Sequence, residues 1–173
     1  MPERVIRLKG EQARVEADSW SFVPEGDAAL PGGAIAVPLA AWKARRAELL
    51  ARGEPVGVWL KPDDDPAELV AHLGELSLVA VQFLKFTDGR GYSIAVLLRS
   101  RHGYRGELRA FGDVGRDQLF NLKRCGFDSF SLAAHRDPEA AVASLGDFTL
   151  RYQGSVDDPQ PLFRKRLAAG GVR

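Results

Sequence analysis

From residue 56 onward, apolar residues fall in short continuous blocks: "PVGVWL" at 55–60, "LVAVQFL" at 78–84, "ELRAF" at 107–111, "SFSLAA" at 129–134 and "FTLRYQ" at 148–153. Each is expected to be a strand, and "LVAVQFL" at 78–84 is too continuously apolar for a half-exposed one, so it should be covered on both faces, as in a parallel sheet. The segments between them carry helical spacing and helix punctuation. In "PLAAWKARRAELLARG", Leu39, Trp42, Arg46, Leu49 and Leu50 repeat at helical intervals up to a stop at Gly53. In "DDDPAELVAHLGEL", Asp65 is the expected N-cap, Pro66 the first helical residue and Glu68 the capping-box partner, with Leu69, His72, Leu73 and Leu76 on one face. A helix over about 91–102 should end at Gly103, with Tyr104 folding back on Leu98. Another over 113–126 should be capped by Asp113, pack through Leu119 and Leu122, and stop at Gly126. Asp137-Pro138 opens a last helix to about 145.

Predicted strand starts lie 20 to 29 residues apart, the length of a βα unit. The expected fold class is α/β: repeated βα units forming a mainly parallel sheet or a partial (β/α) barrel, preceded by a short N-terminal β arm. Periodicity leaves the open sheet and the partial barrel both standing. The chain divides into an arm and loop at 1–33, an α/β domain at 34–153 and a polar, Pro/Gly-rich tail at 154–173, which is expected to be mobile or to dock on a partner through "PLFRKR".

Composition narrows the class. A chain of 173 residues with 45% hydrophobic and 27% charged residues is that of a soluble globular domain. The first residues lack the apolar core of a secretory signal, and no window reaches the roughly 18 apolar residues of a membrane helix. A cytoplasmic protein without membrane association is expected. One cysteine excludes an internal disulfide framework. The net charge of +1 hides an asymmetry: residues 1–84 carry −4, residues 85–124 carry +5, and seven of the nine cations in that middle segment are arginines. Arginine suits bidentate contact with oxyanions. No nucleic-acid fingerprint accompanies the excess, so no nucleic-acid partner is expected.

Parallel α/β folds bind ligands at the carboxyl ends of their strands. Two loops predicted at that edge, "KFTDGRGYS" (85–93) and "GDVGRD" (112–117), carry the charge. Lys85, Asp88, Arg90, Ser93, Asp113 and Arg116 are therefore candidate ligands for a small oxyanion, helped by free N–H groups at two helix starts. Each has a plainer role. Asp113 can cap a helix, Asp88 can fix an Asp-Gly turn, and Gly89 and Gly91 can supply positive φ angles. Arg109, inside a predicted interior strand, needs a partner: Glu107, Asp88 or a bound anion, with a structural ion pair favoured. Cys125, on a packed stripe, reads as a small hydrophobe. His72, His102 and His135 lack zinc spacing, and neither a phosphate-binding Walker loop nor a serine nucleophile elbow is present. No cofactor or metal is expected.

The stretch 83–130 contains "FTDGRGYS", "GELRA", "GDV", "DQL" and "RCGFD" in that order. It resembles a bacterial family of unknown function that carries the label of an oxidoreductase involved in sulfite reduction. The resemblance covers most of 56–132, and "PLFRKR" is similar to the family's ending. Leu84 departs from the small or proline residue that relatives place before the lysine. The resemblance implies a place in assimilatory sulfur metabolism beside sulfite reductase, and brings no established catalytic residues. Three readings follow. The first is an accessory protein that binds sulfite, sulfate or phosphate, or sulfite reductase itself, without its own redox centre. The second is a barrel-type enzyme acting on a small anionic substrate, with Lys85 as electrophile or general base, Asp113 as acid–base partner and Arg90 as clamp. The third is a scaffold packed against another chain, for which a homo-oligomer is one form.

Overall fold

The structure is a computed structural model that describes residues 4–10, 12–26, 29–148 and 151–168. Its strands are β1 (Arg4–Lys9), β2 (Gln12–Ala17), β3 (Ser21–Phe22), β4 (Ile35–Pro38), β5 (Val56–Leu60), β6 (Leu78–Phe83), β7 (Glu107–Gly112) and β8 (Ser129–Phe130). They form one sheet in the order β2-β1-β8-β7-β6-β5-β4-β3. From β3 to β8 neighbours in space are neighbours in sequence and every pair is parallel. The hairpin β1–β2 is antiparallel and joins the sheet through β8, with Ile6 opposite Phe130. The N-terminal arm is thus part of the sheet.

Strand order without reversal keeps the helices on one side. The helices are α1 (Leu39–Ala51), α2 (Arg90–Val96), α3 (Leu119–Arg124), α4 (Pro138–Ala141) and α5 (Leu162–Ala168). Trp42, Leu49, Ile94, Leu98, Leu119 and Leu122 pack with Val58, Val81, Phe83, Leu108, Ala110 and Phe130 in one apolar cluster. The residues that alternate with these along the strands, Ala36, Trp59, Leu78, Ala80 and Phe111, form a second cluster with Trp20 and Phe22. The sheet is therefore dry on both faces, as its continuous apolar runs require.

The second face is dry because the sheet curls. Eight flat strands would place the outer pair about 33 Å apart at ~4.8 Å per strand. Yet β2 and β3, the two edges, are joined by Asp18, Ser19 and Trp20 alone, a link that spans at most about 14 Å. Phe22 on β3 accordingly touches Phe111 on β7, ring centroids 4.9 Å apart. The result is a curled half-barrel, which settles the sheet's form in favour of the partial barrel.

An ion-pair chain fills the polar end of this interior. Arg109 is 0% exposed. Its Nη1 donates to both oxygens of Asp18 (2.9 and 2.8 Å), its Nη2 to Glu107 Oε1 (2.6 Å) and its Nε to Ser129 Oγ (3.0 Å). Arg7 on β1 extends the chain to Glu107 (3.4 Å) and Glu16 (3.2 Å). The expected Glu107 partner is present, and Asp18 is the partner that local pattern did not offer. Burial alone would raise the Glu107 carboxyl. The charge and hydrogen bond of Arg109, with Ser129 and Arg7 behind them, outweigh it and hold the group below its ordinary value.

Local structure departs from expectation at four places. The segment Pro66–Glu75 is a 3-10 helix; Asp65 caps it through Ala67 N–H (2.9 Å), but Glu68 turns away to pair with Lys43 and forms no capping box. The helix from Arg90 loosens into a π turn at Leu97–Arg101 before Gly103, where Tyr104 N–H reaches Leu98 O (2.9 Å). Asp113 is not a helix cap. The helix begins later, as a 3-10 turn at Arg116–Gln118 capped by Gly115, whose N–H donates to Gln118 Oε1 (2.8 Å). No strand forms over the described part of 148–153; residues 149 and 150 lie outside the described residues. The described part of the tail lies on its own chain: Val156 N–H bonds Arg124 O (3.0 Å) and Arg124 Nη2 bonds Gln153 O (2.9 Å).

Replacing Arg109 with leucine leaves Asp18 and Glu107 without compensation and is expected to cost about 3–5 kcal/mol in urea unfolding. Because the folded Glu107 titrates below its unfolded value, its contribution is complete above the ordinary glutamate value of about 4.3 and is lost as pH falls through the lower folded value. The urea midpoint should therefore decline below about pH 4, and this decline should shrink in Glu107→Gln.

Candidate functional site

The loops after β6 and β7 do leave the sheet side by side. Asp113 N–H donates to Phe83 O (2.8 Å), stitching the two strand ends together. Phe83 sets both exits. Gly112 adopts a φ of 103°, and a Cβ there would stand 2.4 Å from the Phe83 carbonyl oxygen. Gly91, expected as a positive-φ residue, is not one. It is glycine because a Cβ would meet the Phe83 ring at 2.6 Å, so α2 can approach β6 only without a side chain at that point. Gly89 likewise has an ordinary φ of −84°.

The seven candidate residues separate into three places. The first is the rim above β5 and β6. There Asp88 N–H closes a turn on Lys85 O (3.0 Å), and Asp88 Oδ1 accepts from Arg90 N–H (3.2 Å). Arg90 donates Nε and Nη2 to the two oxygens of Asp88 (2.9 and 2.6 Å), and Nη1 to Asp63 in the loop after β5. The Arg90 hydrogen bonds pull the Asp88 carboxyl down to about 2, and those from Asp88 raise Arg90 above its ordinary value. Arg90 thus already holds two carboxylates. The side chains of Lys85 and Ser93 are exposed and have no hydrogen-bond or ion-pair partner among the described residues. The second place is the interior, where Arg109 is sealed from solvent by its own ion pairs.

The third place is the rim above β7 and β8, and it brings in a residue the sequence reading missed. Asp113 and Arg116 are exposed there. Arg136, in the loop after β8, lays its guanidinium against Gly115: a Cβ at 115 would stand 3.3 Å from Arg136 Cζ. Arg116 and Arg136 flank a cavity of about 200 Å³ closed by Asp137, Ala140 and Ala141. Asp137 turns its carboxylate into the start of α4, accepting from Glu139 N–H (3.0 Å). Neither arginine has a carboxylate partner among the described residues, and Arg136 Nε is buried with no acceptor. The cavity wall itself is almost wholly apolar and Asp117 Oδ1 approaches the same face of Gly115, so a compact oxyanion would meet the two guanidinium groups only at the cavity's edge. The signal for Arg136 was available: a cation directly before the Asp-Pro start of a helix, at the same sheet edge as the other two loops.

On the helix side, an open groove of about 1250 Å³ runs between α2 with its π turn, α3 and the tail. Cys125 borders it. Burial pushes its thiol up, which fits a packing role and not an activated thiolate. Among the described residues no cluster of three or more His, Cys, Asp or Glu has the geometry to hold a metal ion, and no helix is long and apolar enough to cross a membrane.

Because Arg90 is committed to Asp88, an NMR titration of Asp88 should give a midpoint near 2 in the native protein. In Arg90→Gln the midpoint should rise toward the ordinary aspartate range with little change in the urea midpoint, as expected of an exposed pair.

Among proteins of curated function, none matches this chain. A family model covers residues 57–163, from the second residue of β5 to the second residue of α5, and so takes in both rims, the groove apart from Arg164, Glu107 and Arg109 but not Asp18. The chain belongs to DUF934, a family of bacterial proteins of unknown function.

Proposed function

We propose that this protein is an accessory factor of assimilatory sulfite reduction that binds a small oxyanion and serves sulfite reductase without a redox centre of its own. The observation that carries the binding half is the pair Arg116 and Arg136. They flank a small cavity at the carboxyl edge of a parallel sheet, and the buried Nε of Arg136 has no acceptor within the described protein. A buried, unpaired guanidinium N–H is costly, and an anionic oxygen is the acceptor that relieves it most fully. The apolar wall of the cavity offers an anion no partner, so sulfite, sulfate or phosphate would sit on the guanidinium groups at its edge. The rim above β5 and β6 supports the reading less, because Arg90 would have to release Asp88 and Asp63 before clamping a ligand. The metabolic half rests on the likeness of 83–130 to a family labelled for sulfite reduction.

Isothermal titration with sulfite, sulfate and phosphate tests the binding half. Saturable heat is expected, weakened on the order of tenfold by Arg116→Ala and by Arg136→Ala, and left intact by Lys85→Ala. An absence of heat together with an unchanged melting temperature removes it. For the metabolic half, deletion of the gene should slow growth on sulfate as sole sulfur source, with sulfide restoring it. Normal growth on sulfate would sever the protein from this step.

A further inference from the structure

Half of the chain's arginines have a carboxylate partner among the described residues. Arg4, Arg7, Arg45, Arg46, Arg52, Arg90, Arg99, Arg109 and Arg151 each have an acidic partner within 4 Å. The groove on the helix side gathers three of the others. Arg105, Arg124 and Arg164 line it, and none has a carboxylate partner among the described residues. The Nε of Arg124 is buried without an acceptor. No Asp or Glu is among the residues lining this groove.

The three guanidinium groups are rooted on separate elements: Arg105 in the loop before β7, Arg124 at the end of α3 and Arg164 on α5. Arg99 does not compete for a ligand. It is 10% exposed and is used up by the carbonyls of Tyr104, Gly106 and Gly126 and by Asp128, so it braces the floor. Apolar surface lies between the cations, with Val96 37% exposed and the Phe163 ring 53% exposed. A second hollow of about 380 Å³ shares Arg99, Arg105 and Val156 with the groove and carries it on to Gly10 at the tip of the β1–β2 hairpin. Its two acidic residues are occupied, Asp128 by Arg99 and Asp157 by Arg151.

We infer that this trough is a docking site for an extended acidic peptide segment of a partner protein, one that carries an apolar side chain between its carboxylates. Separately rooted cations at intervals match a chain of carboxylates better than one compact anion. The volume of about 1250 Å³, continued by the second hollow, also exceeds the roughly 300–1,000 Å³ of ordinary small-ligand pockets. The apolar ground beside Phe163 gives a central side chain its contact, and the cations steer the encounter. This inference is independent of the oxyanion site at Arg116 and Arg136.

The test uses the full chain and a fluorescein-labelled octapeptide of glutamate and aspartate around one phenylalanine, read by anisotropy. Its lysine-for-acid counterpart, ADP and inorganic phosphate serve as competitors. The acidic peptide should bind saturably and more weakly as salt rises. Arg105→Glu/Arg164→Glu should weaken it on the order of tenfold or more, while the charge-matched Arg166→Glu, on α5 outside the trough, leaves it unchanged. Both doubly substituted positions are exposed and unpaired, and an unaltered urea curve with intact phosphate binding will show that the fold and the rim site survive. No saturable binding, or equal affinity in the double variant, overturns the proposal. Displacement of the peptide by ADP at comparable concentration also overturns it, and assigns the trough to a small anionic ligand instead.

Discussion

The bond between Arg109 and Asp18 is the constraint on which the half-barrel depends. Asp18 sits in the three-residue link between the sheet's two edge strands, and Arg109 stands on a central strand. Their bidentate contact fixes that link across the mouth of the curl. Such a buried pair adds little net stability compared with an apolar filling of the same shape. What it supplies is position: Arg109 Nη1 donates to both oxygens of Asp18, while Glu107 and Ser129, on the other two nitrogens, hold the planar guanidinium in that orientation. The aromatic filling of Phe22, Trp59 and Phe111 then has a single shape to pack into.

The curl also organises the surface. With the inner face closed, every connection from β4 to β8 lies on the outside, so the loops that leave the carboxyl edge are short and tied to one another. Phe83 is the common post. Its carbonyl fixes the exit of β7 and its ring admits α2 only at Gly91. Charge is then sorted by location. At the rim over β5 and β6 Arg90 is neutralised by Asp88 and Asp63, while at the rim over β7 and β8 and in the helix-side trough arginines have no carboxylate partner among the described residues.

Much of this was legible along the chain. The strands at 78–83 and 107–112 announce themselves because both faces are buried, and Arg109 stands out because it breaks such a run. Asp65 and Asp137 were readable as caps because the cap and its N–H partner lie two residues apart. What was not legible depends on distance. Asp18 is 91 residues from Arg109, and no local pattern couples them. Gly91 reads as a turn residue in one dimension and is a packing residue in three, because the ring that requires it belongs to the preceding strand. Asp113 matches a helix cap by type, yet the extra turn at Gly115 to Gln118 moves the helix start beyond its reach. Arg90 has the chemistry of an anion ligand, and only the fold shows that Asp63 and Asp88 already occupy it.

The place of the N-terminal hairpin has a consequence for biogenesis. Among the described strands, β1 meets the parallel part of the sheet only through β8, the last of them in sequence. During synthesis the β1–β2 hairpin therefore has no docking edge on the parallel strands until residues 129 and 130 have emerged. Strands β3 to β7 can pair before that point, and the hairpin closes on β8 afterwards.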